Sequence, residues 1–304
     1  MDTHLIAVVG ATATGKSGLG LALARALGGE VVNADSMQLY QGMDIGTAKE
    51  PEAARQGVPH HLLDVWPVTQ TANVADYQKL ARTAIENIAA RGRVPVLVGG
   101  SGLYVRAALD DLDFPGTDDG IRARLEIELG RLGPAALHAR LTTLDPAAAG
   151  AILPGNGRRI VRALEVIELS GRPFSATLPT YESAGQVRPA IQLGLTLPRP
   201  ELDARIAVRV DQMWQAGLEA EVESLARQGL REGKTASRAL GYRQLLRHLD
   251  GECTSAEARA DTIKATKRFA RRQESWFRRD PRVHWLDATA PAEHLLAAAR
   301  RLLP

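Results

Sequence analysis

Apolar residues along this chain fall into two kinds of run. Short continuous stretches occur at Leu5 to Val9, Glu30 to Ala34, His61 to Leu63, Val94 to Val98, Ile191 to Leu197 and Val283 to Leu286. Unbroken apolarity over so few residues predicts strands covered on both faces, as in a parallel sheet. Other stretches repeat at helical spacing. Residues 16–27 set Leu19, Leu23 and Leu27 four apart and stop at Gly28-Gly29, a helix with a glycine end. Strand, helix and strand over 5–34 make a βαβ unit, whose crossover is right-handed and whose strands are parallel. A further helix is predicted over 76–91.

Between Pro115 and about Pro189 the strand pattern vanishes. Helical patterns run over 118–132, 134–142 and 156–170, and 171–189 reads as loop. The reading is a mostly helical insertion, 115–189, dividing a sheet-forming chain into parts 1–114 and 190–304. In the second part, one long amphipathic helix is predicted over 200–229 and another over 255–279.

Length and composition narrow this picture. A chain of 304 residues predicts two units, or one large unit with an insertion. Hydrophobic residues at 45% and charged residues at 24% exclude disordered and fibrous classes. No run approaches the length of a membrane span, and no basic segment precedes the first apolar run, so neither membrane anchorage nor a signal peptide is expected. The expected location is the cytoplasm. One cysteine, Cys253, excludes a disulfide framework or a cysteine-built zinc site. Charge is split unevenly: residues 1–150 carry 13 basic and 17 acidic side chains, whereas 151–304 carry 25 and 18. Of the 38 basic residues, 32 are Arg. Arginine forks onto phosphate, so the second half hints at a polyanionic partner, although GC-rich coding would also enrich Arg.

The chemistry begins at Gly10-Ala11-Thr12-Ala13-Thr14-Gly15-Lys16-Ser17, which matches G-x-x-x-x-G-K-[ST] at every fixed position, with strand before and helix after. Glycines let successive backbone N–H groups turn toward one anion. The helix N-terminus and Lys16 add positive charge, and Ser17 offers a hydroxyl to Mg²⁺. The loop therefore binds a phosphate or diphosphate. An NTPase would add an apolar strand ending in Asp, but Val94–Val98 runs into Gly99-Gly100-Ser101-Gly102. The acid is Asp35, after the second strand, where a carboxylate facing the loop suits a general base or an outer magnesium ligand. Gln38 can read a base edge and Tyr40 can stack. His60 and His61 occupy consecutive strand positions and point to opposite faces, which favours structural roles over joint metal ligation.

In order along the chain stand GATATGKS (10–17), ADSMQLYQGMDIGTAK (34–49), PHHLLD (59–64), VGGSGLY (98–104), RRIVRALE (158–165), LGYRQ (240–244) and RRQESWFR (271–278). Together they resemble the tRNA isopentenyltransferase family over essentially the whole chain. The resemblance implies a P-loop-type α/β core, a parallel sheet flanked by helices, with a helical insertion. It implies transfer of a dimethylallyl group from dimethylallyl diphosphate to N6 of adenosine 37, 3′ of the anticodon, with Mg²⁺. The loop 10–17 would hold the diphosphate. Asp35 would take the N6 proton or orient the amine, and Ser101 would sit beside that amine. The family usually has Thr there. Arg205 and Arg209, which share a helical face, are both expected at the diphosphate, with Arg209, like Lys16, the expected catalytic contact.

The family flips the adenine into a channel, with Asp35, Ser36, Met37 and Gln38 lining the tRNA side. Further tRNA contacts are expected from Arg122, Arg158, Arg159 and Arg162 of the insertion, and from Gly241, Tyr242, Arg243 and Gln244. The window 264–279, with 7 basic residues and 1 acidic one, adds Arg271, Arg272, Gln273, Trp276 and Arg278. Asn156-Gly157 departs from the family's Asn-Asp turn before the arginine pair, and the zinc finger of eukaryotic members is absent. A monomer suffices for all of this. Competing readings are a P-loop kinase of a small metabolite, a non-catalytic RNA-binding protein, and an adenylate isopentenyltransferase acting on free nucleotide.

Overall fold

The computed structural model describes residues 4–177 and 185–303. They form two compact units, one from 1–109 with 187–304 and the other from 110–186. The second unit thus begins and ends a few residues earlier than the bounds 115–189 expected for the insertion. Part of the loop expected over 171–189, residues 178–184, lies outside the described residues.

The first unit is built on a six-stranded parallel sheet of β1 (Leu5–Gly10), β2 (Glu30–Asn33), β3 (His60–His61), β4 (Pro95–Gly99), β5 (Ala190–Thr196) and β6 (Val283–Asp287). Their order is β3-β2-β4-β1-β5-β6. The strand expected at 61–63 is shorter than its apolar run, because Leu62 (φ 63°) and Asp64 (φ 57°) leave the extended region. Helix α1 (Lys16–Leu27) packs on β1, β2 and β4, and Leu19 and Leu23 share one core with Ile6, Val8, Val31, Val96 and Val98. The alternate strand residues Leu5, Ala7, Val9 and Leu97 are equally buried, so the sheet is covered on both sides. Helices α2 (Val74–Ala90) and α3 (Gly102–Leu109) pack on each other and against β4.

The second unit contains α4 (Asp119–Leu144), α5 (Pro146–Ala151) and α6 (Gly157–Ser170). Gly133 at φ 78° followed by Pro134 breaks α4 where the sequence pattern also breaks. Leu125, Leu137, Leu141, Ile160 and Leu164 form its core.

Back in the first unit come α7 (Arg199–Gln215), α8 (Leu218–Arg227), α9 (Tyr242–Leu249), α10 (Ser255–Phe277) and α11 (Ala292–Arg301). The single helix expected over 200–229 is two helices. Gly217 stands between them at φ 94°, a left-handed conformation that suits glycine and interrupts the amide ladder. Helices α3, α5, α9 and α11 were not expected from the pattern: they are short, and their apolar positions are too few to show a period. Among the described residues no helix is long and apolar enough to cross a membrane.

Candidate active site

The carboxyl ends of β2, β4 and β1 stand side by side, with β4 in the middle. Asp35 follows β2, Ser101 follows β4 and the phosphate loop follows β1. The Gly99–Ser101 turn therefore lies between Asp35 and the loop, and Asp35 shares a recess with Lys16 and Ser17. That turn tolerates no side chain at its start, since a Cβ on Gly99 would lie 2.2 Å from the Ala34 carbonyl oxygen. The closeness lets the Ser101 hydroxyl accept the Ser36 N–H at 3.2 Å and meet the Ser36 hydroxyl at 3.3 Å.

The loop 10–15 is shaped by Gly10 (φ 136°), Ala13 (φ 65°) and Gly15 (φ 95°). Thr14 Oγ1 donates to the Ala11 carbonyl at 2.9 Å, and Lys16 Nζ donates to the same carbonyl at 2.6 Å. Thr12 N–H is taken by Gln273 Oε1 at 2.9 Å, while the amides of Ala13 through Ser17 find no acceptor among the described residues. Five successive N–H groups, a helix N-terminus and an ammonium make a cradle for an oxyanion.

Around the cradle three recesses meet. Lys16, Ser17, Asn33, Asp35, Gln38, Gly99 and Arg209 line one of about 70 Å³. A second, of about 310 Å³, joins Thr12, Asp35, Ser36 and Arg209 to the apolar side chains of Ile206, Val210, Met213 and Phe269. A third, of about 560 Å³, carries Lys16, Ser17 and Arg209 toward Gln212 and Ala216. Arg209 borders all three and has no hydrogen-bond or ion-pair partner among the described residues. Arg205, one turn earlier, pairs with Glu201 at 2.6 Å. An apolar wall, an anion cradle and a carboxylate thus border connected space, which suits a ligand with a short hydrocarbon chain on a diphosphate.

Burial sets the protonation states. It lowers the Lys16 ammonium to about 8; nearby Arg209 adds to that shift and Asp35 opposes it. Burial also raises Asp35, against the Met37 N–H bond to its Oδ1 (2.9 Å) and the charge of Lys16. Arg209 is lowered, again by burial. A carboxylate of raised basicity beside the buried cations of Lys16 and Arg209 suits a site that accepts a proton and an anion.

Other expected residues sit elsewhere. Gln38 Nε2 donates to the carbonyls of Thr47 (3.1 Å) and Ala48 (3.4 Å). Gln273 is buried, and its Nε2 donates to Gly100 at 2.9 Å. It braces the loop against the turn, so the expectation of an exposed tRNA contact is corrected. Trp276 packs where a Cβ on Gly102 would be, 2.1 Å from the indole. Tyr242 and Gln244 are also buried: Gln244 accepts the Gly241 N–H at 3.0 Å, and Tyr242 donates to Glu221 at 2.5 Å. Glu221 went unnoticed in the sequence, because one Glu on an amphipathic helix looks like any solvated charge. Arg243, Arg271 and Arg272 are exposed, and Arg272 lies over the Phe269 ring at 5.7 Å. Arg278 pairs with Glu274 at 2.7 Å.

In the insertion, Arg158 and Arg159 are exposed. Arg122 and Arg162, expected as tRNA contacts, close on the fully buried carboxylate of Glu165 at 2.7 and 3.0 Å while remaining about a third exposed. The two histidines are separate as expected. His61 Nε2–H donates to Glu30 at 2.6 Å, and His60 Nδ1 lies 2.9 Å from the Val58 carbonyl.

Among the described residues no three His, Cys, Asp or Glu gather into a metal cluster. The donors near Ser17 are its own hydroxyl and the carboxylates of Asp35 and Glu50 along the same recess. That set fits a hard cation held mainly by water and by diphosphate oxygens.

The IPP transferase family model matches residues 38–280. The chain belongs to this family. The tRNA dimethylallyltransferase of Thermobifida fusca (strain YX) is 69% identical over 292 residues, covering 94% of this chain and 91% of the relative. That of Streptomyces coelicolor is 69% identical over 283 residues, covering 93% and 90%. Among solved structures, the tRNA isopentenylpyrophosphate transferase of Bacillus halodurans matches with a TM-score of 0.72 at 39% identity, over 99% of this chain and 95% of that one. A eukaryotic dimethylallyltransferase acting on tRNA matches with a TM-score of 0.81 at 25% identity, over 98% and 77%. The parallel sheet with flanking helices is therefore the architecture of this family.

Proposed function

We propose that this chain transfers the dimethylallyl group of dimethylallyl diphosphate to N6 of adenosine 37 in tRNA, working as a cytoplasmic monomer. The observation that carries the reading is the convergence of Lys16, Ser17, Asp35 and Arg209 on connected space with an apolar wall. Relatives named tRNA dimethylallyltransferase at 69% identity support it.

The amides of 13–17, Lys16 and Arg209 bind the diphosphate and neutralise the charge that grows on it as the allylic C1–O bond breaks. Bound Mg²⁺, near Ser17, supplies further charge neutralisation to the leaving group. The N6 lone pair forms the new bond to C1, diphosphate departs, and N6 passes one proton to Asp35. Burial raises the basicity of Asp35. The Ser36–Ser101 hydroxyl pair lies beside Asp35, where it orients the amine. Exposed Arg158, Arg159, Arg243, Arg271 and Arg272 meet the RNA backbone.

The test is incubation with Mg²⁺, labelled dimethylallyl diphosphate and unmodified tRNA, with free AMP in parallel. Label on tRNA N6 is expected. Label on AMP alone would assign the chain to nucleotide prenylation, and absence of transfer to either would overturn the reading.

A further inference from the structure

Between Met43 and Lys49 the chain has no regular helix or strand, yet it borders the site. Gly46, Thr47 and Ala48 line the same recess as Asp35 and Arg209. Thr47 and Ala48 also receive the side-chain amide of Gln38. This strap is tied from within by Thr47 Oγ1 to the Met43 carbonyl (2.6 Å), and below by buried Lys49, which reaches Asp44 at 2.6 Å and Asp64 at 2.5 Å.

On its outer side three consecutive amides turn toward one carboxylate. Asp44 N–H and Ile45 N–H donate to Glu221 Oε2 at 3.2 and 2.7 Å, and Gly46 N–H donates to Oε1 at 3.2 Å. Successive amides aimed at one point are an anion nest, and here the anion is the chain's own side chain on α8. Oε1 also accepts the Tyr242 hydroxyl at 2.5 Å, and the Tyr242 ring fills the space a Cβ on Gly46 would need, 2.4 Å from its ring carbon. A residue larger than glycine at 46 would push the strap off Tyr242.

We propose that Glu221 is a positioning residue: with Tyr242 it holds the 43–49 strap, and through Thr47 it holds Gln38, in the shape that receives the target base. This rests on the tRNA-prenylation reading. The two backbone carbonyls that take the Gln38 amide nitrogen fix which end of that side chain remains as acceptor, so loosening the strap blurs a polar contact on the nucleotide side. The strap shares a recess with the diphosphate cradle at 13–17, but among the described residues no hydrogen bond joins the two, so the cradle keeps its own shape.

Two measurements on the full chain test this. Hydrogen exchange of wild type, Glu221→Gln and Glu221→Ala should show amides 44–46 protected in wild type, partly exposed in Glu221→Gln, which keeps one acceptor oxygen, and exposed in Glu221→Ala, with residues 10–17 unchanged. Steady-state kinetics should show kcat/KM for tRNA falling roughly tenfold in Glu221→Gln and roughly a hundredfold in Glu221→Ala. Inorganic pyrophosphate affinity, the control for a folded site, should stay within about twofold. Unchanged exchange at 44–46, or equal losses for tRNA and pyrophosphate, would overturn the inference. A wild type that transfers no label to tRNA fails the parent reading instead, and the exchange arm still decides whether Glu221 holds the strap.

Discussion

The side-chain carbonyl of Gln273 accepts the backbone N–H of Thr12 at 2.9 Å. One residue of α10 therefore sets the curvature of a loop at the other end of the chain, and its amide nitrogen ties the same loop to Gly100. The two residues just before it in sequence, Arg271 and Arg272, face solvent. Gln273→Leu leaves Thr12 N–H and the Gly100 carbonyl unsatisfied in a buried place, at roughly 1–3 kcal/mol for each stranded group. The expected result is a rise in donor KM with tRNA affinity held. Pyrophosphate and tRNA titrations of the variant check it.

Asp35→Asn keeps an acceptor for the Met37 amide and removes the base. Turnover should fall by roughly 10²–10⁴, the usual contribution of a positioned base, with tRNA affinity nearly intact. Because burial raises the Asp35 pKa, the wild-type rate should decline on the acid side at a higher pH than an ordinary carboxylate would give. A pH profile of single-turnover rates shows this limb in wild type and not in Asp35→Asn. Collapse of tRNA binding in the variant would instead make Asp35 a recognition group.

Lys16 is held at about 8 in the free protein, so its charge is lost as pH rises through that value. Pyrophosphate affinity should weaken above about pH 8 in wild type, and Lys16→Met should bind weakly at every pH without that dependence. Stability carries the opposite sign. The unfolded chain holds the lysine proton up to about 10.4, so the folded state gains between the two values. Wild type should therefore gain stability relative to Lys16→Met as pH rises from 8 to 10. Calorimetric titration and urea melts across that range measure the two effects.

Glu165 has its carboxylate fully buried between Arg122, Arg162 and the Asp118 amide. Burial alone would raise its pKa; the two arginines and the amide outweigh that and hold it below the usual value. Its contribution to stability is therefore present above the unfolded value and is lost as pH falls through the depressed one. Glu165→Ala removes the carboxylate from two partly exposed guanidiniums, of which Arg162 keeps the Pro115 and Gly116 carbonyls, and should destabilise by roughly 1–3 kcal/mol. Urea melts read the loss, and they should show less of it as the pH is lowered toward 3.

Arg271→Ala with Arg272→Ala removes two exposed cations from α10. Against salt, log K for tRNA should lose roughly 1.4–1.8 of its slope, the range for two phosphate contacts. Binding titrations at several salt concentrations decide it. An unchanged slope returns that face of the helix to solvent.

Most of the framework was legible because its cause is local. Buried strands in a parallel sheet must be apolar on both faces, so each one announces itself, and a glycine-lysine-serine loop between strand and helix leaves little freedom of geometry. The break at Gly133-Pro134 and the stop at Gly28 follow from backbone chemistry alone. Short helices such as α9 were not legible, since eight residues hold too few apolar positions to reveal a period. The missed break at Gly217 has another reason: an isolated glycine in a helical pattern is tolerated as often as it interrupts.

Residue types and their spacing were enough to point to the anion cradle, to a carboxylate beside it at Asp35, and to the family. They could not establish which polar residues face the ligand and which face each other. Arg122 and Arg162 turned inward to a buried carboxylate, Gln273 turned to brace a loop, and Tyr242 turned to Glu221. A charged or amide side chain has the same signature in sequence whether it meets solvent, substrate or a partner more than a hundred residues away along the chain. Only the packing of α4 on α6, of α8 on α9 and of α10 against the phosphate loop selects among those, because a buried polar group must be satisfied by whatever the fold brings within hydrogen-bonding distance.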